Sequence, residues 1–253
     1  VVVDNSSAFR ADPLVPLVIP EVNGGSLPRR GSRGVIIANP NCSTIILLAA
    51  VNPLRTAFGI ERLVVATYQA VSGAGAAAME ELREQVLEVA NGREAKPRVF
   101  KEPCAFNVFS HDSAMDVETG VNGEERKIID ETRRIWDDPR AAVSPTCIRV
   151  PVMRAHTEAI AVTLASPASE GEVFEVLRNG PGLEVVDDRS ANAFPTPLKA
   201  AGRDKVLVGR VRRDPAEEPD ALGRSRSFLL MACGDQLRKG AALNAVQIAE
   251  ALA

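Results

Sequence analysis

Val35-Ile36-Ile37-Ala38-Asn39-Pro40-Asn41-Cys42-Ser43-Thr44-Ile45-Ile46-Leu47-Leu48-Ala49-Ala50 decides how this chain folds. Val35 to Ala38 is an apolar run with the character of a buried strand. Asn39-Pro40 breaks it, because proline has no N–H to donate and biases the residue before it away from helix. The second apolar run then reads as a helix, so strand, turn and helix follow one another as in an α/β domain. Cys42 falls on the first turn of that helix. Unpaired N–H groups and the helix dipole favour an anion there, so the thiol is expected to lose its proton easily and to act as a nucleophile. The alternative is a small buried cysteine that fills the junction.

Upstream, Val1-Val2-Val3-Asp4-Asn5-Ser6-Ser7 reads as a buried strand running into a polar turn, as if the chain opened in the middle of an α/β domain. Prolines 13, 16, 20 and 28 with Asn23-Gly24-Gly25 make residues 1–34 a loop-rich connector. Downstream, strands are expected at Leu63–Tyr68, Val143–Val150, Ala159–Leu164, Val206–Arg212 and Ser227–Cys233. Helices are expected over Ala76–Ala90, over Glu124–Trp136, from Pro167-Ala168-Ser169 to Arg178, and over Gly240–Ala253. Residues 93–123 and 179–203 read as irregular, and Pro151 and His156 as lying between two strands.

The 253 residues suffice for one large domain or two modest ones. At net charge −3, with arginines dispersed and aromatics at 4%, the chain has neither the basic footprint nor the stacking residues of a nucleic-acid binder. Its apolar runs are too short to span a bilayer, so no membrane partner is expected. The four cysteines (42, 104, 147 and 233) have no CxxC pairing, which argues for a reduced compartment and against a structural zinc or other metal.

A thiolate that forms a thioester needs a proton shuttle, and the chain has two histidines, His111 and His156. His156 is preferred, because it follows an apolar strand carrying Arg149, whose guanidinium can grip a carboxylate with two parallel bonds. A surface-loop histidine and a structural arginine pair are the competing readings. Gln69 ends a strand before Ser72-Gly73-Ala74-Gly75, so its amide could orient a carbonyl while the glycines admit a cofactor. Such a run is also a common turn.

Together, Asp4-Asn5-Ser6-Ser7-Ala8-Phe9-Arg10, Asn39-Pro40-Asn41-Cys42-Ser43-Thr44, Tyr68-Gln69-Ala70-Val71-Ser72-Gly73-Ala74-Gly75, Arg149-Val150-Pro151-Val152 with His156, and Arg238-Lys239-Gly240-Ala241-Ala242-Leu243-Asn244 resemble the aspartate-β-semialdehyde dehydrogenases of the bacterial and plant type, in order and spacing. Phe106 to His111 leans toward plant, algal and cyanobacterial members. The resemblance implies an α/β chain: the end of a Rossmann-like nucleotide-binding domain (1–34), a glyceraldehyde-3-phosphate-dehydrogenase-like α+β catalytic and dimerisation domain (35–233), and a helix returning to the first part (234–253). It implies NADPH-dependent reductive dephosphorylation of L-4-aspartyl phosphate through a Cys42 thioester, in the biosynthesis of lysine, threonine, methionine and isoleucine.

By the same resemblance Cys42 is the nucleophile, Gln69 orients the acyl group and His156 is the acid/base. Arg149 binds the substrate carboxylate. Glu124 and Lys127, on one helix face, meet the amine and phosphate, and Arg10 meets the phosphate. Asn41, Ser72, Gly73 and Asn244 line the nicotinamide or the reaction centre. A solvated ion pair is the other reading of Glu124 and Lys127. The partners implied are the small substrate, phosphate and further copies in a homodimer or homotetramer, in cytoplasm or plastid stroma.

The family's glycine-rich turn for the cofactor pyrophosphate is not found in this sequence, which leads to the expectation of a further segment upstream. Two related thioester enzymes, N-acetyl-γ-glutamyl-phosphate reductase and phosphorylating glyceraldehyde-3-phosphate dehydrogenase, fit the Cys42 run and the Arg149/His156 spacing poorly. A catalytically silent dimerisation partner is the reading from a different class.

Overall fold

The computed structural model describes residues 1–29, 31 and 34–252. The deciding stretch folds as β2 (Ile36–Ala38) and α2 (Cys42–Phe58). The Asn41 side-chain oxygen accepts from the N–H groups of Ser43 (3.0 Å) and Thr44 (3.2 Å), satisfying two donors that a helix start leaves open. Gly59, at φ 69°, closes the helix with its N–H on the Arg55 carbonyl, in a conformation that glycine adopts without strain. Ile45 through Val51 are all buried, so α2 is a core helix over these turns and is exposed only in its last turn, at Thr56 and Ala57.

β2 pairs in parallel with β1 (Val2–Asp4) in a two-stranded sheet. The expected boundary after residue 34 therefore falls between two paired strands, and the first layer runs on to Ala38. Val18, Ile37 and Ile248 form a small core between this sheet and α7 (Leu243–Leu252), while Val246 on the same helix is exposed. Within the connector, the short helix α1 (Pro20–Asn23) has proline at its first turn and runs into a 3-10 turn at Gly24–Ser26. Arg30, Ser32 and Arg33 of the expected connector, and Ala253 of the expected last helix, lie outside the described residues.

The second sheet has seven strands in the order β4-β5-β3-β6-β9-β8-β7. These are β3 (Ile60–Gln69), β4 (Phe109–Ser110), β5 (Ala142–Arg149), β6 (His156–Ala168), β7 (Leu183–Val185), β8 (Val206–Arg213) and β9 (Ser225–Gly234). β3 runs parallel to β5 and antiparallel to β6, so the sheet is mixed, as an α+β domain requires. On one face α2, α4 (Gly123–Ile135) and α5 (Glu170–Arg178) cover the main core, whereas α3 (Ala76–Ala90) packs on a smaller cluster with Phe100 and Cys104.

Four expectations change. β6 begins at His156 and runs to Ala168, so the histidine is the first residue of a strand; Ala155, at φ 73°, makes the turn into it. α5 starts only at Glu170, because Ser169 and Glu172 form a reciprocal capping box. The loops contain the short β4, β7 and α6 (Pro197–Ala200). The closing helix begins as a π-helical turn, Arg238–Ala242, whose Gly240 lies so near α2 that a Cβ would stand 3.1 Å from the Cys42 Cβ.

Candidate active site

One cross-strand row of the seven-stranded sheet assembles the site. Arg149 on β5 pairs with Gln69 on β3 and with Phe109 on β4. Continuing the β3–β6 register brings Gln69 level with His156, which pairs with Gly234 on β9. Residues level with one another in a sheet project to the same face, so Arg149, Gln69 and His156 stand side by side. A Cβ on Gly234 would stand 2.7 Å from Ile46 Cγ1, so its bare backbone lets α2 descend onto this row. The first turn of α2 is thereby set over His156, with Cys42 Sγ 3.4 Å from His156 Nε2.

The imidazole of His156 is fully buried, and its Nδ1 accepts the Ala70 N–H at 3.0 Å. A backbone N–H only donates, so Nδ1 holds the lone pair and the neutral ring carries its proton on Nε2, facing the sulfur. Burial and then the charge of Arg149 push His156 down to about 3. Enclosure and then the Glu124 carboxylate push the Cys42 thiol up to about 12, against the pull of the Ser43 N–H and Arg10. This corrects the expectation of an easily lost proton. The helix start does favour the thiolate, but burial and a facing carboxylate outweigh it. The free protein holds a neutral thiol beside a neutral imidazole.

Alkylation of Cys42 by iodoacetamide is therefore expected to be slow at pH 7 and to rise about tenfold per unit to pH 9, tracking the thiolate fraction. Glu124→Gln removes the facing negative charge and should speed the reaction at every pH. Peptide mass spectrometry reports the rate at this position alone; a plateau below pH 8 would contradict the assignment.

Arg149 is buried and already oriented. Its Nη1 donates to the Ala70 carbonyl (3.0 Å), and its Nη2 to Asp112 Oδ1 (3.1 Å) and His111 Nε2 (2.9 Å). Burial alone would raise Asp112, but the guanidinium bonds hold it below its usual range. Arg149 is thus both a structural ion pair and part of the pocket wall.

α4 supplies the acidic side. An Asn122–Glu125 capping box starts the helix, and Glu125 Oε1 accepts the Cys147 N–H (3.0 Å), docking α4 on β5. Glu124 Oε1 then accepts from Asn41 Nδ2 (2.8 Å) and Gln69 Nε2 (3.1 Å), while Glu124 Oε2 pairs with Lys127 Nζ (3.1 Å). Burial opposes its charge, but His111, Lys127 and these two amides hold Glu124 down at about 2.

A cleft of about 450 Å³ gathers Cys42, Gln69, Arg149, Glu124, Lys127, Arg10, Asn41, Ser72 and Gly73. His156 stands behind Cys42, out of contact with solvent. A Cβ on Gly73 would stand 3.2 Å from His156 Cε1, so the bare glycine lets this turn pack against the imidazole. Asn244 is not brought to the cleft. It is buried, donates to the Val18 carbonyl (3.0 Å) and Asn39 Oδ1 (2.6 Å), and accepts from Lys239 Nζ (2.8 Å).

Glu131, Asp112 and Gln236 join the site without being expected from the sequence. Glu131 Oε2 accepts the Asn41 N–H (2.6 Å) and Glu131 Oε1 pairs with Arg10 (3.4 Å), tying the phosphate-side arginine to the start of α2. The i, i+7 spacing of Glu124 and Glu131 on one charged helix was the available signal. Gln236 accepts the Ala155 N–H (2.9 Å) and bonds Ser72 Oγ, and nothing local in the sequence announces it.

The family described as "Semialdehyde dehydrogenase, dimerisation domain" matches residues 51–239. An aspartate-semialdehyde dehydrogenase of Aquifex aeolicus is 47% identical over 255 residues, covering all of this chain and 72% of that protein. One of Prochlorococcus marinus is 44% identical over 253 residues, covering all of this chain and 70% of that protein. The crystal structure of aspartate semialdehyde dehydrogenase II from Vibrio cholerae complexed with ASA superposes with a TM-score of 0.91 at 42% identity, covering 100% of this chain and 72% of that one. The Candida albicans enzyme with NADP superposes at 0.71 and 27% identity, covering 99% and 70%.

Proposed function

The chain belongs to the aspartate-semialdehyde dehydrogenase family, and from that premise we propose that it forms L-aspartate 4-semialdehyde from L-4-aspartyl phosphate through a thioester on Cys42. The observation that carries this is the Cys42–His156 contact at 3.4 Å, in the cleft that Arg149, Arg10 and Lys127 also line. Arg149 takes the substrate carboxylate, Glu124 the ammonium group, and Arg10 with Lys127 the phosphate. The sulfur attacks the acyl carbon: the C–S bond forms, the C–O bond to phosphate breaks, and the thiol proton leaves with the phosphate. Gln69 presents an amide N–H to the acyl oxygen.

The residues present fit a nicotinamide, since the small residues Ser72, Gly73 and Ala74 line the cleft. NADPH, when bound, supplies the hydride. When the C–S bond breaks, its electron pair stays on sulfur, and the Nε2–H of His156 stabilises that thiolate by a hydrogen bond until a proton from solvent replaces the one lost with the phosphate. Asn244 serves indirectly, by holding Asn39 and Lys239 behind the cleft. We assign the small sheet and α7 to the edge of a nucleotide-binding domain, and the seven-stranded sheet to catalysis and dimerisation. The product feeds lysine, threonine, methionine and isoleucine synthesis, in cytoplasm or plastid stroma.

Assaying phosphate-dependent NADP reduction with L-aspartate-β-semialdehyde tests the reading directly. Reduction that needs both phosphate and the aldehyde supports it; a folded, NADP-binding protein with no such activity favours a silent dimerisation partner.

The second copy should seat on the open face of the seven-stranded sheet. Val64, Ala66, Ala159, Ala161, Leu229 and Met231 leave an apolar strip there, with Val64 40% exposed. Ala161→Glu or Met231→Glu would place a charge at its centre, and sedimentation is expected to find monomers in place of dimers. Dimers that persist in both variants would put the interface elsewhere.

A further inference from the structure

A second row lies directly behind the catalytic one. Cys147 on β5 pairs with Thr67 on β3, Thr67 with Glu158 on β6, and Glu158 with Ala232 on β9. Thr67 is fully buried, and its Oγ1 is 3.1 Å from Gln69 Oε1. The other end of the same amide, Nε2, donates to Glu124 Oε1 at 3.1 Å. A Thr hydroxyl can donate or accept, whereas an ionised carboxylate only accepts. Glu124 therefore draws the NH2 end of Gln69, and the Thr67 hydroxyl must give its single hydrogen to the oxygen end.

Cys147 also hydrogen-bonds Thr67, but a neutral thiol can donate its S–H to Oγ1, which leaves the hydroxyl hydrogen for Gln69. The register neighbours Cys147 and Glu158 are both buried, and burial raises both, which keeps them uncharged. Glu158 has no hydrogen-bond partner among the described residues. If the Gln69 amide turned over, its oxygen would face the Glu124 carboxylate, and the acyl group in the cleft would meet a carbonyl in place of a donor.

We propose that Thr67 is a positioning residue: its buried hydroxyl fixes the orientation of the Gln69 amide, so that an N–H of Nε2 faces the reacting acyl oxygen. The proposal rests on the thioester reading above. Thr67→Val keeps the volume and removes the hydroxyl, and Thr67→Ser keeps the hydroxyl.

Thr67→Val is expected to lower kcat about 10- to 100-fold with KM changed less than about twofold, and Thr67→Ser to restore kcat within about threefold. In a Gln69→Ala background, Thr67→Val should cost nothing further, because no amide is left to orient. A valine variant within about twofold of wild type, or one that costs as much without Gln69 as with it, overturns the proposal. The side-chain amide resonances of Gln69 in 15N NMR give a readout that needs no turnover. They should shift in Thr67→Val and return in Thr67→Ser, and unchanged resonances in the valine variant overturn the positioning role even if the protein has no dehydrogenase activity. Shifted resonances in an inactive protein would uphold the positioning and reject the reaction.

Discussion

Cys42→Ala is expected to lower kcat by about 10⁴-fold or more, the largest effect of any single change in this chain. No other thiol can substitute. Cys104, Cys147 and Cys233 are buried, and burial pushes Cys104 and Cys233 up to about 11. Cys42→Ser should be nearly as poor, because an alkoxide is a weaker leaving group than a thiolate when the acyl–enzyme bond must break. Binding should survive in both variants, since Arg149, Glu124, Lys127 and Arg10 are untouched. The helix should survive as well, because Asn41 caps it and Ser43 and Thr44 donate only their backbone N–H groups to that cap. Steady-state kinetics with circular dichroism as a control check this; a Cys42→Ala variant within tenfold of wild type would end the nucleophile assignment.

His156→Ala is expected to lower kcat by about 10²- to 10⁴-fold with a smaller change in KM, because it removes the group at 3.4 Å from the sulfur and leaves the Arg149 grip in place. The wild-type pH profile should carry no limb from His156 between pH 5 and 9, since the ring is pushed down to about 3 and stays neutral throughout. Its 15N spectrum should report an unprotonated Nδ1 and a protonated Nε2 over that range. The stability consequence has a fixed sign. Below its ordinary value of 6.5 the unfolded chain gains a proton at this histidine that the folded chain refuses. Folding stability from this group is therefore complete above about 6.5 and declines as the pH falls toward about 3. The alanine variant should lose that part of the acid sensitivity. A proton found on Nδ1 at neutral pH would contradict the Ala70 hydrogen bond and the tautomer that follows from it.

Features of the fold and the site are legible in the sequence where their cause is local. Asn39-Pro40-Asn41 breaks a strand and caps a helix within a few residues, so β2, α2 and the place of Cys42 were legible. Gln69 and Arg149 were legible as the ends of apolar strands, though not as neighbours, because register between β3 and β5 is set across the sheet. Glu131 and Asp112 escaped notice because each acts on a partner distant in sequence, Arg10 and Arg149 respectively. His156 is legible for its chemistry but not for its place at a strand start, since Pro151 suggests a loop and the turn at Ala155 hides the strand that follows. The thiol acidity is not legible, because the helix start is written beside Cys42, while the burial and the Glu124 charge that outweigh it arise only on folding.

Intact and peptide mass spectrometry of the chain, after mixing with L-aspartyl phosphate without NADPH, shows whether the thioester forms and where. The thioester account predicts one aspartyl adduct per chain, located on the peptide carrying Cys42, absent in Cys42→Ala and discharged by hydroxylamine. An adduct on another residue, or none on a wild-type protein that turns over with NADPH added, would contradict it.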